Sequence, residues 1–326
     1  MCAQKENYNI ELSVIIPMYN EEANASATIE AVDRFLKDLG RLYEIIPVND
    51  GSRDGTLEVL RSIALENKNV HVVSYPANRG RGMALRAGFN EAKGAFLFTM
   101  DADLSYSPHY IKEMLRILEN NEADIVVASP FMAGGGLKDV PLKRGLISRA
   151  GNLLLQWIFP GKLHTYTGIF RGYRRIVIQG MLLESCEKEI HLEIIARATG
   201  LGYRIKEIPA ILESRKKGTS KFRFGSTVVS HLIFAFLHRP IVLFGAFGGM
   251  ITLSGVILGL YVVYLHYHHA LSQSRPLFSL IVLLILGGIQ ILSIGFIAIL
   301  IGALRRELLK IERELRLLPR DITHGS

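Results

Sequence analysis

Cysteine is scarce in this chain: Cys2 and Cys186 are the only two in 326 residues. Two thiols form neither a disulfide framework nor a cysteine metal pattern, so a reducing compartment is the expected setting. An apolar leader is also missing. The opening MCAQKENYNIELS is polar and is not expected to act as a secretory signal. No internal repeat and no low-complexity linker interrupts the chain. The net charge is +8, yet a basic stripe interleaved with base-stacking aromatics is absent. Its basic residues gather beside two uncharged runs instead, so no nucleic-acid partner is expected.

Those runs, residues 241–265 and 276–304, hold no Asp, Glu, Lys or Arg. About 20 apolar residues suffice to cross a bilayer as a helix. Two membrane spans are therefore expected, over 241–266 and 276–304, joined as a hairpin by HYHHALSQSR. SRKKGTSKFR lies before the first span and RRELLKIERELR after the second, while the connector holds one arginine. The positive-inside bias then places both termini and the N-terminal domain in the cytoplasm. His266, His268 and His269 read as a polar loop at the headgroup level rather than a metal site. STVVSHLIFAFLHRP, residues 226–240, suits a helix lying in the interface. Residues 305–326 form a basic amphipathic tail, either on the membrane or packed on the N-terminal domain.

Residues 1–225 alternate apolar strands with helical patterns. LSVIIPM, YEIIPV, VHVVSY, AFLFTM and DIVVAS are interleaved with amphipathic segments such as EEANASATIEAVDRFLKDL and PHYIKEMLRILENN. β-branched runs between helices predict an α/β fold with a mostly parallel sheet. Ligands bind such sheets at the carboxyl ends of the strands. The conspicuous polar groups fall there: YNEE, NDGSRDGT and DADLS. AGGG at 133–136 lacks the strand-to-helix GxGxxG frame and reads as a mobile loop, not a phosphate cradle.

In FLFTMDADLSYSP, Asp101 and Asp103 end an apolar strand one residue apart. Such a pair repels itself unless a cation sits beside it. Magnesium-type ions take one or two carboxylates plus substrate phosphates, so a metal carrying a diphosphate is one reading. The other is a turn with helix-capping acids, since SPHYIKEM begins a helix with Pro108 at its start. On spacing alone both stay open.

The ordered series IIPMYNEE, VNDGSRDGT, NRGRGMALRAGF and DADLSYSP resembles family 2 glycosyltransferases with a GT-A-like nucleotide-sugar domain, over roughly residues 10–225. The resemblance implies that Pro17, Tyr19 and Glu21 contact base and ribose, and that Asp50, with Val48 beside it, reads the base edge. It implies Asp101 and Asp103 as ligands of Mg²⁺ or Mn²⁺ and the donor phosphates, with Ala102 against the sugar nucleotide. KRGLISRAGN, TYTGIFRGYRR, EIHLEIIARATGLGYRIKEIP and RKKGTSKFR are similar to segments of dolichyl- or polyprenyl-phosphate sugar synthases. That likeness implies Arg144 and Ser148 at the acceptor phosphate, and Arg215 and Lys221 near the phosphates. Arginine and lysine suit both an acceptor phosphate and a departing diphosphate. The implied activity is metal-dependent, inverting transfer from a nucleotide-sugar, GDP-mannose first and UDP-glucose second, to a polyprenyl or dolichyl phosphate in the bilayer.

Three positions depart from the family pattern: Ser105 where a glutamine is usual, Pro130 for an arginine, and Thr165 for an acidic residue. They bear on sugar identity and acceptor geometry. A processive polysaccharide synthase would carry QxxRW, which QW at 156–157 is not. A transferase acting on a glycolipid or protein hydroxyl would want a carboxylate base, for which Glu189 and Glu193 are candidates. A non-catalytic membrane-anchored binding protein is the third alternative, and intact Asp50, Asp101 and Asp103 count against it.

Overall fold

The computed structural model describes residues 10–158, 163–214, 240–268 and 275–317. They fall into two compact units. One comprises residues up to His231 together with Leu309 onward, the other Leu232–Leu308.

The first unit opens with β1 (Leu12–Met18), α1 (Glu22–Leu39), β2 (Tyr43–Asp50), α2 (Thr56–Glu66), β3 (Val73–Tyr75) and α3 (Arg81–Glu91). It continues with β4 (Phe96–Thr99), α4 (Tyr110–Glu119), β5 (Ile125–Ser129), β6 (Gly136–Lys138), α5 (Leu142–Ile158) and β7 (Arg171–Arg174). It closes with α6 (Arg175–Gln179), α7 (Ile190–Gly200), β8 (Ile205–Pro209) and β9 (Ile211–Glu213). Seven strands form one sheet in the order β3-β2-β1-β4-β7-β5-β8. Its pairings are parallel except those of β7, which runs antiparallel to both β4 and β5. This is the expected mostly parallel α/β sheet with flanking helices.

Period-two alternation sorts β1 between two cores. Leu12, Val14, Ile16 and Met18 face Ile29, Val32 and Leu36 of α1 and Ile111, Met114 and Leu118 of α4. Ile15 faces the opposite layer, with Ile46, Val48, Leu85 of α3 and Ile190 and Ile194 of α7. Each fully buried aliphatic side chain contributes roughly 1.5–3 kcal/mol. α3 approaches β1 so closely that a Cβ at Gly88 would run into Ile15 and Val48.

Two local readings change. Gly136, the last residue of AGGG, is not in a free loop: it starts β6, which pairs in parallel with β9 as a separate two-stranded sheet. α4 starts at Tyr110, two residues beyond Pro108, because Ser107–His109 form a turn whose carbonyls accept from the helix's first N–H groups.

The second unit holds α8 (Pro240–Tyr267) and most of α9 (Arg275–Leu317). Both are long and apolar enough to cross a membrane. Phe247, Leu253, Leu260, Leu283, Leu286, Phe296 and Ile301 stand exposed along them, an outer surface that water would not solvate favourably. The two helices meet through small residues. A Cβ at Gly248 would press on Gly288 and Leu292, and one at Gly288 would collide with Thr252. α9 runs past residue 304 to Leu317 without a break, since no proline follows the apolar run before that point and the Glu/Arg sequence favours helix. From Leu309 the chain groups with the first unit, where the Arg313 guanidinium lies 4.8 Å from the Tyr203 ring. Residues 226–239 of the expected interfacial helix lie outside the described residues.

Candidate functional site

The carboxyl ends of β1, β2 and β4 meet at one edge of the sheet, and their loops are laced together. After β1, Asn20 takes a left-handed φ of 51°, a conformation asparagine tolerates better than most residues. Its N–H donates to Ser52 Oγ at 3.0 Å, and its Oδ1 accepts from the Arg53 N–H at 2.8 Å. The Glu21 N–H donates to Thr56 Oγ1 at 2.9 Å, while its carboxylate accepts from Asn24 at 2.7 Å. Glu22 accepts from the Gly55 N–H at 3.0 Å, and a side chain at Gly55 would occupy the space of that carboxylate. Burial opposes the charge on Asp54, but hydrogen bonds from Thr56 and the Glu22 N–H hold its pKa below the usual carboxylate range. Pro17 and Tyr19 are half-buried beside this lattice, and Val48 is buried in β2.

Asp50 ends β2 and is buried. Its carboxylate accepts from the N–H groups of Arg79 at 2.7 Å and Gly80 at 3.1 Å, and from the Asn78 amide at 3.0 Å. It thereby fixes the turn that launches α3, a structural task that the base-reading expectation did not include. Burial, then the Asp50 carboxylate beside it, raises the pKa of the Tyr75 phenol.

At the end of β4, the Thr99 hydroxyl donates to the Ile169 carbonyl and the Met100 N–H to the Ile15 carbonyl. Asp101 and Asp103 are half-buried on either side of buried Ala102, whose carbonyl accepts from the Thr28 hydroxyl at 2.6 Å. Asp103 Oδ1 accepts from the Ser105 N–H at 3.0 Å, closing an Asx turn. Leu104 between them has a φ of 51°. Ser105 itself is buried, and its carbonyl accepts from the Glu213 N–H. The Arg81 guanidinium lies 3.2 Å from Asp101 Oδ1.

Among the described residues, no group of three or more His, Cys, Asp or Glu side chains converges as a metal cage. Two carboxylates one residue apart, with a guanidinium drawn to one of them, offer a smaller donor set. They suit a hard cation that completes its shell with phosphate oxygens and water.

Against this edge packs the loop 184–189, of which the sequence pointed only to Glu189, as a candidate base. The Met83 N–H donates to the Cys186 carbonyl at 3.0 Å, and Arg86 to the Glu184 carbonyl at 3.0 Å. A Cβ at Gly80 would press on the Glu187 carboxylate, and one at Gly82 on the carbonyls of Ser185 and Glu187. Glu193 of α7 accepts from the N–H groups of Glu184 at 3.0 Å and Ser185 at 2.8 Å, and from Arg197 at 2.9 Å. Buried and committed to these donors, it is poorly placed as a base for a hydroxyl acceptor. Glu189 stands at the start of α7, half-buried. Burial, then Arg81, lowers the Lys188 ammonium pKa, against the pull of Glu187, Glu189 and Asp101.

Of the expected acceptor residues, only Ser148 has its side chain among the described residues. Ser148 lies exposed on α5, and its carbonyl accepts from Asn152 at 2.9 Å. Asn152 in turn accepts from the Tyr166 N–H at 2.7 Å. The Arg144 side chain, Arg215 and Lys221 lie outside the described residues. Thr165 is buried, 2.8 Å from the Ser129 hydroxyl, with its N–H donated to Glu207 at 2.8 Å. Pro130 is buried next to Ser129. Arg171, fully buried, holds the TYTGIF segment by donating to the carbonyls of Gly168 at 2.7 Å, Tyr166 at 2.6 Å and His191 at 2.9 Å. Burial lowers its pKa, yet a guanidinium remains charged there.

Comparison with known proteins follows the same outline. Residues 13–182 match the model of glycosyl transferase family 2. The chain is 29% identical over 311 residues to an undecaprenyl-phosphate 4-deoxy-4-formamido-L-arabinose transferase of Shewanella sediminis, covering 91% of this chain and 89% of that one. A transferase of the same name from Pseudomonas paraeruginosa is 30% identical over 306 residues, covering 90% and 86%. Among solved structures, glucosyl-3-phosphoglycerate synthase from Mycobacterium tuberculosis, in complex with Mn²⁺, uridine diphosphate and phosphoglyceric acid, superposes with a TM-score of 0.55 at 19% identity. That match covers 70% of this chain and 78% of the other, and establishes a shared fold.

Proposed function

The chain belongs to glycosyl transferase family 2, and from that premise we propose that it moves a sugar from a nucleotide-sugar to the phosphate of a polyprenyl or dolichyl lipid at a membrane surface. One observation carries this reading. The likeness to undecaprenyl-phosphate sugar transferases covers 90% of the chain, so it cannot be confined to residues 1–225 and extends into the apolar helices. A second feature agrees with it: Leu142, Leu146, Leu153 and Leu154 of α5 are exposed beside Arg149, as suits contact with lipid.

An oxygen of the lipid phosphate attacks the anomeric carbon of the bound sugar. The bond from that carbon to the nucleoside diphosphate breaks, and its electron pair leaves with the diphosphate. Inversion at the anomeric carbon follows from a single displacement. A phosphate monoester has a second pKa near ~6, so much of the acceptor is already dianionic at neutral pH and needs no general base. Pro17, Tyr19 and Glu21 line the nucleoside, Val48 backs it, and Asp50 reads the base edge. Asp101 and Asp103, with Ala102 against the sugar, hold Mg²⁺ or Mn²⁺, which when bound neutralises the donor diphosphate. Arg144, Ser148, Arg215 and Lys221 receive the acceptor phosphate. Both spans anchor the catalytic unit beside its lipid, with the termini in the cytoplasm.

The test incubates purified full-length protein with polyprenyl phosphate and a donor panel: GDP-mannose, UDP-glucose and the UDP-linked form of the relatives' formamido-arabinose. The lipid extract is read by mass. One donor giving a glycosylated lipid phosphate supports the proposal and names the sugar. An unmodified lipid with every donor, alongside transfer to a hydroxyl acceptor, contradicts it.

A further inference from the structure

The first residue of α3, Arg81, reaches Asp101 Oδ1 at 3.2 Å, with side-chain exposures of 34% and 24%. Its backbone is fixed from two sides. Asp50 binds the N–H groups of Arg79 and Gly80, and Gly80, with φ at 90°, lets the chain pass beneath the Glu187 carboxylate. The base of the arginine is thus rigid while its tip faces the edge where the two aspartates stand. The helix N-terminus adds partial positive charge at the same place.

This arrangement conflicts with a divalent ion on the same aspartate. A guanidinium on Oδ1 takes one of the oxygens the ion would use, and a 2+ charge a few ångströms away repels it. A nucleoside diphosphate removes the conflict, because its oxygens accept the planar guanidinium fork as readily as a carboxylate does. We propose that Arg81 is a partner-exchanging residue of the donor site: it neutralises Asp101 in the empty site and moves onto the diphosphate when metal and donor bind together. There it faces the oxygen that gains the electron pair as the sugar departs, without giving up its own proton. Metal and donor binding are therefore coupled, and the coupling is reciprocal. This inference rests on the proposed donor site at Asp101 and Asp103.

Mn²⁺ binding to the full-length protein in detergent, followed by the electron paramagnetic resonance of free Mn²⁺, tests it without any turnover. Titrations are run alone, with UDP and with GDP, on wild type, Arg81→Gln and Arg81→Lys. In wild type the matching nucleoside diphosphate should tighten Mn²⁺ binding by about 10-fold or more, within the usual range of site-to-site coupling. Arg81→Gln should bind Mn²⁺ alone several-fold more tightly than wild type and lose most of the tightening. Arg81→Lys should fall between. Mn²⁺ affinity in Arg81→Gln equal to or weaker than wild type, with coupling intact, overturns the exchange and leaves the donor site standing. No Mn²⁺ binding by folded wild type with either nucleotide overturns both.

Discussion

Tyr43 shows how one side chain ties stability to pH. Burial first, then the Asp33 carboxylate that accepts its hydroxyl at 2.7 Å, raises its phenol to about 12. An unfolded tyrosine ionises near ~10. The folded state keeps a proton that the unfolded state releases, so this stabilisation is complete below pH ~10 and is lost as pH climbs through the folded value. Tyr43→Phe should be destabilised relative to wild type at pH 8, with the difference shrinking toward pH 12. Thermal midpoints of both proteins across that range check it, and a constant difference would contradict it. Asp101 and Asp103 stood out in the sequence as two carboxylates after an apolar strand, although spacing alone left a cation site and a turn both open. Arg81 did not, since nothing in NRGRGM distinguishes an arginine that turns to an aspartate from one that faces water. Thr165 and Ser105 stood out only as departures. Their burial and hydrogen bonds give them structural places that pattern alone does not reveal.

The loop 184–189 depends on α7 through a buried ion pair. Arg197 and Glu193 are each nearly inaccessible, 6% and 4% exposed, and together they hold Glu184 and Ser185. Breaking such a pair from one side costs about 3–5 kcal/mol, because a charge stays buried without its partner. Arg197→Met should lose stability on that scale, and adding Glu193→Gln should recover part of it. Chemical denaturation of the single and double variants measures the coupling, and purely additive losses would contradict it. The hairpin of α8 and α9 has an equivalent point at Gly288. Gly288→Leu should overpack the contact with Thr252 by about 1–3 kcal/mol and lower the thermal midpoint in detergent, while Gly287→Leu, where nothing lies within 4 Å, should not. The parallel strands and their helices were readable from apolar periodicity. The antiparallel β7 was not, because strand direction depends on the return path of TYTGIFR, which a buried arginine pins.

Two units with different surfaces make up the molecule, one an α/β sheet domain and the other a pair of apolar helices. The charge-free runs made the second unit plain in the sequence, and the amphipathic tail after them was legible too, but not that α9 runs unbroken from one into the other to Leu317, because the join itself leaves no hydropathy signal. Cys186 is exposed in the first unit and becomes the sole thiol in Cys2→Ser. A membrane-impermeant maleimide should label that variant in inverted vesicles and not in intact cells; the reverse would place the catalytic unit on the far side.

The most direct measurement compares two acceptors of one chain length, polyprenyl phosphate and the corresponding polyprenol, offered a radiolabelled donor with full-length protein. Mn²⁺, EDTA and Asp103→Ala are the three conditions. The expected result is label in the lipid phosphate alone, lost in EDTA and reduced on the order of 100-fold or more in Asp103→Ala, as when a charge-stabilising group is removed. Label in the polyprenol, or undiminished transfer in EDTA, would contradict a metal-assisted transfer to lipid phosphate.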